Sequence, residues 1–457
     1  MAGPRIVVIG AGPAGVRAAE ILVGAGLRPI VIEESARSGG QIYRRQPDGF
    51  TRRARALYGS EAAKAMLLHE AFDSLHARID HRLDTLAWNV ADNAVHVVRD
   101  GRAAAIAFDA LIIAAGATDR VMPVHGWTLP GVYSLGAAQI ALKAQACAIG
   151  RRVAFLGSGP LLYLVAHQYV EAGASVAGVF DTARFADAMA ALPNLLARPD
   201  LVLRGLGYKR ALRRAGVRLE SGVMPLRIEG DSDGGIGAVV FERGGVATRI
   251  ACDALGLGHH LRAESQLADL ARCEFVFDSV ARQWLPRIDD DGRSSVTGVY
   301  LAGDGARLQG ADAAEASGRL AALAVLTDLA IGDHRAAMAD LRQGLRRFER
   351  FRRGLATAFP WPQAHAASLP DDAIVCRCEA IRAGELRHAV KGRGAPEVNR
   401  AKAFSRVGMG RCQGRYCGLA AAEIVAEASG VAIESVGRLR GQAPVKPLPI
   451  ATEAEAP

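Results

Sequence analysis

Several features are missing from this sequence of 457 residues, and each absence excludes a class of protein. No apolar stretch reaches about 18 residues, so we expect no membrane span. No charged segment followed by an apolar one stands at the start, so we expect no secretory signal and a cytoplasmic location. Aromatic residues make up only 5%, and no basic stripe is interleaved with them. Nucleic acid is therefore not an expected partner.

The charge is unbalanced, with 56 Lys and Arg against 47 Asp and Glu, a net charge of +9. Much of the excess lies in residues 342–353, RQGLRRFERFRR. Charge runs usually face water, so a solvated helix is one interpretation. A docking face for another subunit is the other, and the sequence leaves both open.

Cysteines are few and unevenly placed. Cys147, Cys252 and Cys273 are isolated, and we expect each to act as a small buried hydrophobe. No CxxC pair stands in the middle of the chain, which excludes a disulfide reductase with a redox dithiol. The other four cysteines cluster near the carboxyl end, where they suit a metal site better than disulfides.

A glycine-rich loop follows the first apolar run, residues 5–10. Its glycines have GxGxxG spacing, a helix pattern follows, and an acid ends the next strand pattern at residues 29–33. This order predicts a βαβ unit that binds a dinucleotide, with its pyrophosphate at the helix N-terminus and a ribose hydroxyl at the acid. The expected contacts are Gly10, Gly12, Pro13, Ala14, Gly15, Glu33 and Glu34.

A second unit of this kind begins about 147 residues later. Gly157 and Gly159 keep the first two glycine positions, but Leu162 replaces the third, and Asp181 lies near the ribose-acid position. Gly157 and Gly159 are the candidate phosphate cradle, with looser helix packing, and Asp181 is the candidate ribose ligand. Three alternatives stay open: a nicotinamide nucleotide, another adenine nucleotide, or an empty relic.

These patterns predict an α/β protein with two Rossmann-like dinucleotide-binding domains, the second inserted in the first, and a small helical C-terminal domain. Strand patterns at 110–114 and 299–302 complete the first domain. We assign 1–122 and 255–330 to the first domain and 123–254 to the second. A helical linker (331–370), the cysteine module (371–430) and a Pro-rich tail (431–457) follow, with helix expected over 321–356.

The cysteine module has the spacing C-x-C-x33-C-x4-C, formed by Cys376, Cys378, Cys412 and Cys417. Four thiolates suit a [2Fe-2S] cluster or a zinc ion, although zinc sites favour two to four residues between paired cysteines. Glycines surround the last two cysteines and give backbone N–H groups access to sulfur. A cluster, structural zinc and unligated thiols are the alternatives.

Three further segments resemble the flavoprotein family of thioredoxin reductase. They are Gly39-Gly40-Gln41, the run LIIAAG ending in Ala115 and Gly116, and VYLAGD ending in Gly303 and Asp304. The resemblance implies FAD in the first domain, with the Asp304 carboxylate on the ribityl chain. Arg307 and Gln309 follow Asp304 closely along the chain, and we expect them near the isoalloxazine. The predicted flavin contacts are Gly40, Gln41, Ala115, Gly116, Gly303, Asp304 and Gln309.

The segments VCRCE and GMGRCQGRYCG resemble the bacterioferritin-associated ferredoxin-like [2Fe-2S] domain. Together the two parts resemble the α-type subunits of opine oxidases, dye-linked proline and hydroxyproline dehydrogenases, and hydrogen cyanide synthase. That resemblance implies a second, catalytic β-type flavoprotein subunit that oxidises a C–N bond, and a quinone or dye as acceptor. In some members it also implies an interfacial FMN and a small third subunit. Through such a complex the chain would be at most peripheral to the inner membrane face.

No paired acid and base stands out as substrate-binding chemistry, and we assign no catalytic residue. His259 and His260 lie at a strand end, where a structural role is the more common one. We therefore expect an electron-transfer subunit of an amino-acid or opine dehydrogenase. A free-standing NAD(P)H-dependent reductase, disfavoured by Leu162, and a non-enzymatic iron–sulfur protein are the alternatives.

Overall fold

Two parallel sheets organise the chain in a computed structural model that describes residues 3–50, 52–450 and 453–454. The first sheet has the strand order Val299–Leu301, Ala110–Ile113, Ile6–Ile9, Ile30–Ile32 and Asp80–Arg82. The second has the order Leu219–Ser221, Ser175–Asp181, Arg152–Ser158, Ala254–His259 and Val132–Ser134. The predicted α/β fold with two Rossmann-like units is confirmed.

The central strands are buried along their whole length, as in parallel sheets covered on both faces. Helix Pro13–Gly24 packs against Ala311–Asp328 on the first sheet. The two helices meet so closely that a Cβ on Gly318 would lie 2.1 Å from the Ala14 carbonyl oxygen. This packing fixes the helix that follows the first glycine loop.

The chain returns from the second unit to the first slightly later than residue 255, where the sequence predicted this return. Strand Ala254–His259 belongs to the second sheet, because it pairs in parallel with Arg152–Ser158 and Val132–Ser134. The chain then returns through an antiparallel ribbon of Ala117–Asp119 and Leu261–Ala263. Periodicity alone cannot assign an apolar strand to one of two adjacent sheets.

Smaller antiparallel sheets extend both units. One consists of Leu86–Ala91, Ala94–Arg99 and Arg102–Ala107, with Glu453–Ala454 added in parallel, and another of Met224–Gly230, Ile236–Arg243 and Val246–Ala251. Two-stranded ribbons are formed by Phe275–Asp278 with Gln283–Pro286 and by Ile374–Cys376 with Ile381–Arg382. The ribbon Phe275–Pro286 faces the cysteine module.

Helices cover both sheets. Those of the two nucleotide-type units are Pro13–Gly24, Ala54–Tyr58, Ala62–Leu75, Leu135–Ala144, Pro160–Glu171, Phe185–Leu195, Pro199–Arg214, Gln266–Leu270 and Ala311–Asp328. Short 3-10 turns lie at Gly59–Glu61, His76–Arg78 and Gly303–Gly305. Proline occupies the first helical position of three of these helices, where its missing N–H is not needed.

The expected continuous helix over 321–356 is wrong. It is divided into Ala311–Asp328 and Arg335–Ala358, and the turn between them contains Ala330 and Gly332 at positive φ. The Arg-rich part of the second helix is only partly solvated. Arg352 is buried and binds Asp278, and Arg342 binds Asp291, whereas Arg346 and Arg350 are exposed.

The cysteine module follows helix Gln363–Ser368 and has its own core. Helices Ala383–Arg393, Val398–Ser405, Gly418–Ser429 and Ile433–Val436 surround it. The segment after residue 437 extends over the first unit, with Val445 buried and its N–H donating to the Trp88 carbonyl. Within the described residues, no helix has the length and apolar character needed to cross a bilayer.

Candidate functional site

The first glycine loop has the close approaches that a dinucleotide cradle requires. Gly10 has φ +101°, and a Cβ there would lie 2.4 Å from the Ala114 carbonyl oxygen. A Cβ on Gly15 would lie 1.8 Å from the Gly10 oxygen. Pro13 begins the helix, whose free N–H groups therefore lie beside Gly12. A side chain at Gly10 or Gly15 would overlap with backbone atoms, so the loop requires glycine at both positions.

Glu33 lies where the ribose acid was predicted, at the end of strand Ile30–Ile32. Its carboxylate accepts hydrogen bonds from the Ala11 N–H at 2.7 Å and the Ser35 N–H at 2.9 Å. The Glu34 side chain instead is half exposed and pairs with Lys446. Glu33 is therefore positioned by the loop itself, while Glu34 holds the carboxyl-terminal segment.

The segment Gly39-Gly40-Gln41 lies directly over the first loop. Gly39 donates to the Ala11 carbonyl, and a Cβ on Gly40 would come within 3.0 Å of the Gly12 Cα. Gln41 is exposed, and its side chain accepts from Arg44. Backbone, and not the Gln41 side chain, is what this segment offers to a ligand.

Asp304 lies at the end of strand Val299–Leu301, as predicted. Its Oδ1 accepts from the N–H groups of Gln309 and Gly310, both at 2.9 Å, and Oδ2 has no partner among the described residues. The Gln309 side chain donates to Glu349, and Arg307 donates to the Pro286 carbonyl. Asp304 is thus oriented by backbone, with one oxygen left for a ligand.

Gly116 lies at the same edge of the sheet and is loosely packed there. Gly116 has φ +72°, and nothing lies within 4 Å of the Cβ position. A Cβ on Gly303 would contact Ala14, so this turn also approaches the first helix. The glycine cradle, the anchored Glu33 and the free oxygen of Asp304 fit FAD. Gly10, Gly12, Gly15, Gly40, Ala115, Gly116 and Gly303 would hold it through backbone.

The second glycine loop has backbone approaches as close as those of the first, and it differs at its acid. A Cβ on Gly157 would lie 1.7 Å from the Gly258 oxygen, and a Cβ on Gly159 would lie 3.3 Å from the His260 Cα. Asp181 is only 2% exposed and accepts from the Tyr163 hydroxyl at 2.6 Å and from the Ala183 N–H. Burial raises the pKa of Asp181 to about 6, although the hydrogen bonds from Tyr163 and Ala183 act to lower it. This carboxylate serves an internal contact, which favours the empty alternative for this loop.

His259 is buried and His260 is half-buried at the junction of the two units. The His259 Nδ1 accepts from the Met122 N–H, and burial with the nearby His365 and Arg120 lowers its pKa to about 3. The Arg120 guanidinium stacks 3.9 Å from the Trp361 ring. These contacts agree with the structural role expected for the two histidines.

The four module cysteines are brought together. Cys376 ends strand Ile374–Cys376, and Cys417 caps helix Gly418–Ser429. Cys417 lies beside Cys376 and Cys412, and Cys412 lies beside Cys378. Four thiols gathered in this way are a donor set for the two irons of a [2Fe-2S] cluster or for one zinc ion.

The four thiols differ in acidity. Hydrogen bonding by Cys417 lowers the pKa of Cys376 to about 6 and that of Cys412 to about 5. Burial raises the pKa of Cys378, and the hydrogen bonds with Cys376 and Cys412 raise the pKa of Cys417. Backbone N–H groups of Gly408 and Gly414 also point at these sulfurs. Cys376, Cys378, Cys412 and Cys417 would hold the cluster. The loop offers the N–H donors that tune such centres.

The loop of residues 412–417, which we call the cysteine loop, binds the first unit beside the edge of the sheet where FAD is expected, which we call the flavin edge. Arg415 binds Glu264 at 2.7 Å, and both side chains are nearly buried. Glu264 in turn donates its N–H to the Gly116 carbonyl. Arg262 donates to the Arg415 carbonyl at 2.9 Å, and Gln266 donates to the Gln413 carbonyl at 2.6 Å. The two predicted cofactor sites therefore adjoin within one chain.

Sequence reasoning missed these linking residues. Arg262 and Glu264 stand in no motif, Arg415 lies in the cysteine segment without a predicted role, and their pairing joins positions about 150 residues apart. Lys143, which donates to the Ile42 carbonyl from the second unit, gave no signal either.

Comparison with known proteins matches both parts of the chain. Residues 4–318 match the family Pyridine nucleotide-disulphide oxidoreductase, which indicates FAD. Residues 374–427 match the BFD-like [2Fe-2S] binding domain, which indicates a [2Fe-2S] cluster. The chain is 38% identical to the A-type opine oxidase subunit of Agrobacterium tumefaciens (strain Ach5), over 99% of this chain and 92% of the relative.

A more distant relative is hydrogen cyanide synthase subunit HcnB of Pseudomonas protegens, 31% identical over 97% of this chain and 96% of that subunit. Among solved structures, L-proline dehydrogenase from P. horikoshii superposes with a TM-score of 0.69 at 20% identity, covering 98% of this chain and 78% of that one. That likeness shows the shared fold. The chain thus belongs to the family of the A-type opine oxidase and hydrogen cyanide synthase subunits, flavin-dependent oxidoreductases with a BFD-like [2Fe-2S] domain.

Proposed function

We propose that this chain is the electron-transfer subunit of a hetero-oligomeric dehydrogenase that oxidises a C–N bond of an amino acid or opine. One observation carries the proposal. The cysteine loop and the FAD edge are joined through Arg415, Glu264 and Gly116, so both cofactors would lie in one chain along one route. The relatives named as subunits of opine oxidase and hydrogen cyanide synthase support the multi-subunit assignment.

When bound, FAD would exchange electrons in pairs and the cluster one at a time. The chain's own residues hold these groups and shield them. Glu33 and Asp304 orient the ribose and ribityl hydroxyls, and Arg262 places a positive charge beside the cysteine loop. No acid and base pair beside the flavin edge is required, because oxidation of the substrate would take place on a partner flavoprotein subunit.

The electron acceptor in this proposal is a quinone, a dye or another carrier instead of NAD⁺. The enclosed Asp181, which already accepts a hydrogen bond from the Tyr163 hydroxyl, supports this choice. We further propose that the second unit serves as a scaffold, so it requires neither NAD(P)H nor another adenine nucleotide. An FMN would belong to the interface with the partner subunit, and a third subunit would complete the assembly.

Co-expression with the proteins encoded beside it tests the proposal. We expect a stable complex that contains FAD and iron, and we expect opine or amino-acid oxidation only by that complex. A purified single chain that oxidised such a substrate at the full rate of the complex would overturn the proposal, as would rapid anaerobic bleaching of its flavin by NADH.

A further inference from the structure

The helices of residues 185–214 expose an unusual amount of apolar surface. Of the large apolar side chains that are exposed in the described part of the chain, six fall within 22 residues. Their exposed fractions range from 39% to 73%. We call this set the apolar face: Phe185, Met189, Leu192, Leu196, Leu203 and Leu206.

The apolar face is a consequence of helix geometry. Phe185, Met189, Leu192 and Leu196 follow one another at intervals of three or four residues, which places them on one side of helix Phe185–Leu195. The opposite side is already packed: Ala191 and Leu195 are buried in a small core with helix Arg335–Ala358. The exposed side is therefore not the core-facing side of this helix.

A third helix begins close to the second of these helices. Asp312 binds both Lys64 and Arg198, so it brings the starts of helices Ala62–Leu75 and Pro199–Arg214 together. Exposed apolar side chains that cluster in this way, in contrast to single ones, mark protein interaction sites.

The surroundings of the apolar face are basic. Residues 184–214 contain seven Lys and Arg and only two acids, Asp187 and Asp200. Both acids are already paired, with Arg184 and Arg198. Outside this segment, Arg350 donates to the Pro193 carbonyl at the edge of the face.

Arg210, Arg346 and Arg350 are exposed, and within the described residues they form no salt bridge. Two copies of this surface facing each other would bring these charges together, which is costly. The fitting occupant is an apolar surface with an acidic rim.

We infer that the apolar face is the docking surface for the catalytic partner subunit, a protein with an apolar, acid-rimmed surface. This inference rests on the proposed function, which requires such a partner. The Arg-rich segment 342–353 then contributes Arg346 and Arg350 to the rim, while Arg342 and Arg352 hold the helix in place through Asp291 and Asp278.

The experiment measures the affinity of the cofactor-loaded chain for its co-expressed partner. In the double variant Leu203→Asp/Leu206→Asp we expect the Kd to rise at least about tenfold, because charge is placed where apolar contact forms. Val246→Asp is the matched control, since Val246 is 66% exposed on a different surface. FAD and iron contents and melting temperature should match the wild type in both, which separates docking from folding.

A second variant tests the rim. Arg346→Glu/Arg350→Glu should slow association and weaken its dependence on salt, with a smaller effect on dissociation. If Leu203→Asp/Leu206→Asp binds the partner as the wild type does, the inference is wrong. The inference is also wrong if this variant keeps its affinity for the partner and loses only binding to anionic vesicles or only self-association. If the wild-type chain captures no partner, the proposed function itself fails.

Discussion

The Arg415 guanidinium donates to the Glu264 carboxylate at 2.7 Å, and this ion pair holds the loop of residues 412–417 against the flavin-binding unit. Burial alone would raise the pKa of Glu264. The charge and hydrogen bond of Arg415 lower it by more, so the pKa lies below its ordinary value. Both side chains are about nine-tenths buried. The pair is thus strong enough to stay ionised at neutral pH.

Glu264→Gln should loosen the module. It leaves the Arg415 charge buried without a carboxylate, which costs about 3 kcal/mol in comparable pairs. We expect faster proteolysis between residues 359 and 374 and a lower melting temperature. The control is Glu274→Gln, which breaks the exposed pair of Arg287 and Glu274 and should cost less than about 1 kcal/mol. Equal stability of the two variants would rule out this role for Glu264.

Glu33→Gln should weaken FAD binding about tenfold, because a charged acceptor is lost from the ribose end. The neighbouring Glu34→Gln is a close control, since Glu34 pairs with Lys446 and contacts no part of the glycine loop in the described structure. Equilibrium dialysis of FAD with the apoprotein measures both. Equal weakening by the two variants would show that the ribose acid is misassigned.

Cys412→Ser should remove the cluster, with iron and acid-labile sulfide falling close to zero. Cys147→Ser should leave both unchanged, because Cys147 is exposed and distant in sequence from the module. Elemental analysis and electron paramagnetic resonance of the reduced protein provide the readout. Stoichiometric zinc in place of iron in the wild type would refute the cluster assignment.

Arg262→Gln should lower the midpoint potential of the cluster. A positive charge near Cys412 and Cys417 stabilises the reduced, more negative state, and at an effective dielectric constant of about 20 its loss is of the order of tens of millivolts. Arg262→Lys keeps the charge and should retain most of the potential. An anaerobic redox titration distinguishes the two. A potential that is unchanged in Arg262→Gln would contradict this role.

Asp181 should make stability depend on pH. Its folded-state pKa of about 6 lies above the unfolded value of about 3.9, so the folded state holds the proton more tightly. Asp181 therefore contributes a stabilising free energy that is fully present below a pH of about 4. This contribution, about 3 kcal/mol in total, is lost as the pH rises through about 6. Asp181→Asn should therefore become more stable relative to the wild type as pH rises from 4 to 7.

Urea unfolding across that range measures the difference. Asp200→Asn is the control, because Arg198 lowers the pKa of Asp200 to about 2, and its effect falls outside this window. A difference between Asp181→Asn and the wild type that is constant from pH 4 to 7 would show that Asp181 ionises normally, as a carboxylate open to solvent would.

The sequence could predict those parts of the site that depend on local spacing. Gly10, Gly12 and Gly15 are adjacent along the chain and act through one loop, and the four cysteines carry a specific spacing. Residues whose roles depend on tertiary contacts could not be predicted from the sequence. Glu34 was expected at the cofactor but pairs with Lys446, more than 400 residues away.

The same limit applies to the fold. Both Rossmann-like units were predictable because each repeats a strand, glycine loop and helix. The break at 329–334 was not, because residues 321–356 have helical composition throughout and Gly332 alone gave little warning. The strand Ala254–His259 could not be assigned to its sheet without its neighbours.

Anaerobic mixing of the purified complex with candidate substrates tests the central claim most directly. Visible absorption and electron paramagnetic resonance follow the flavin and the cluster of this chain. The account predicts that an opine or amino acid reduces both only when the partner subunit is present, and that NADH reduces neither. Reduction of the isolated chain by NADH at a rate compatible with turnover would contradict it.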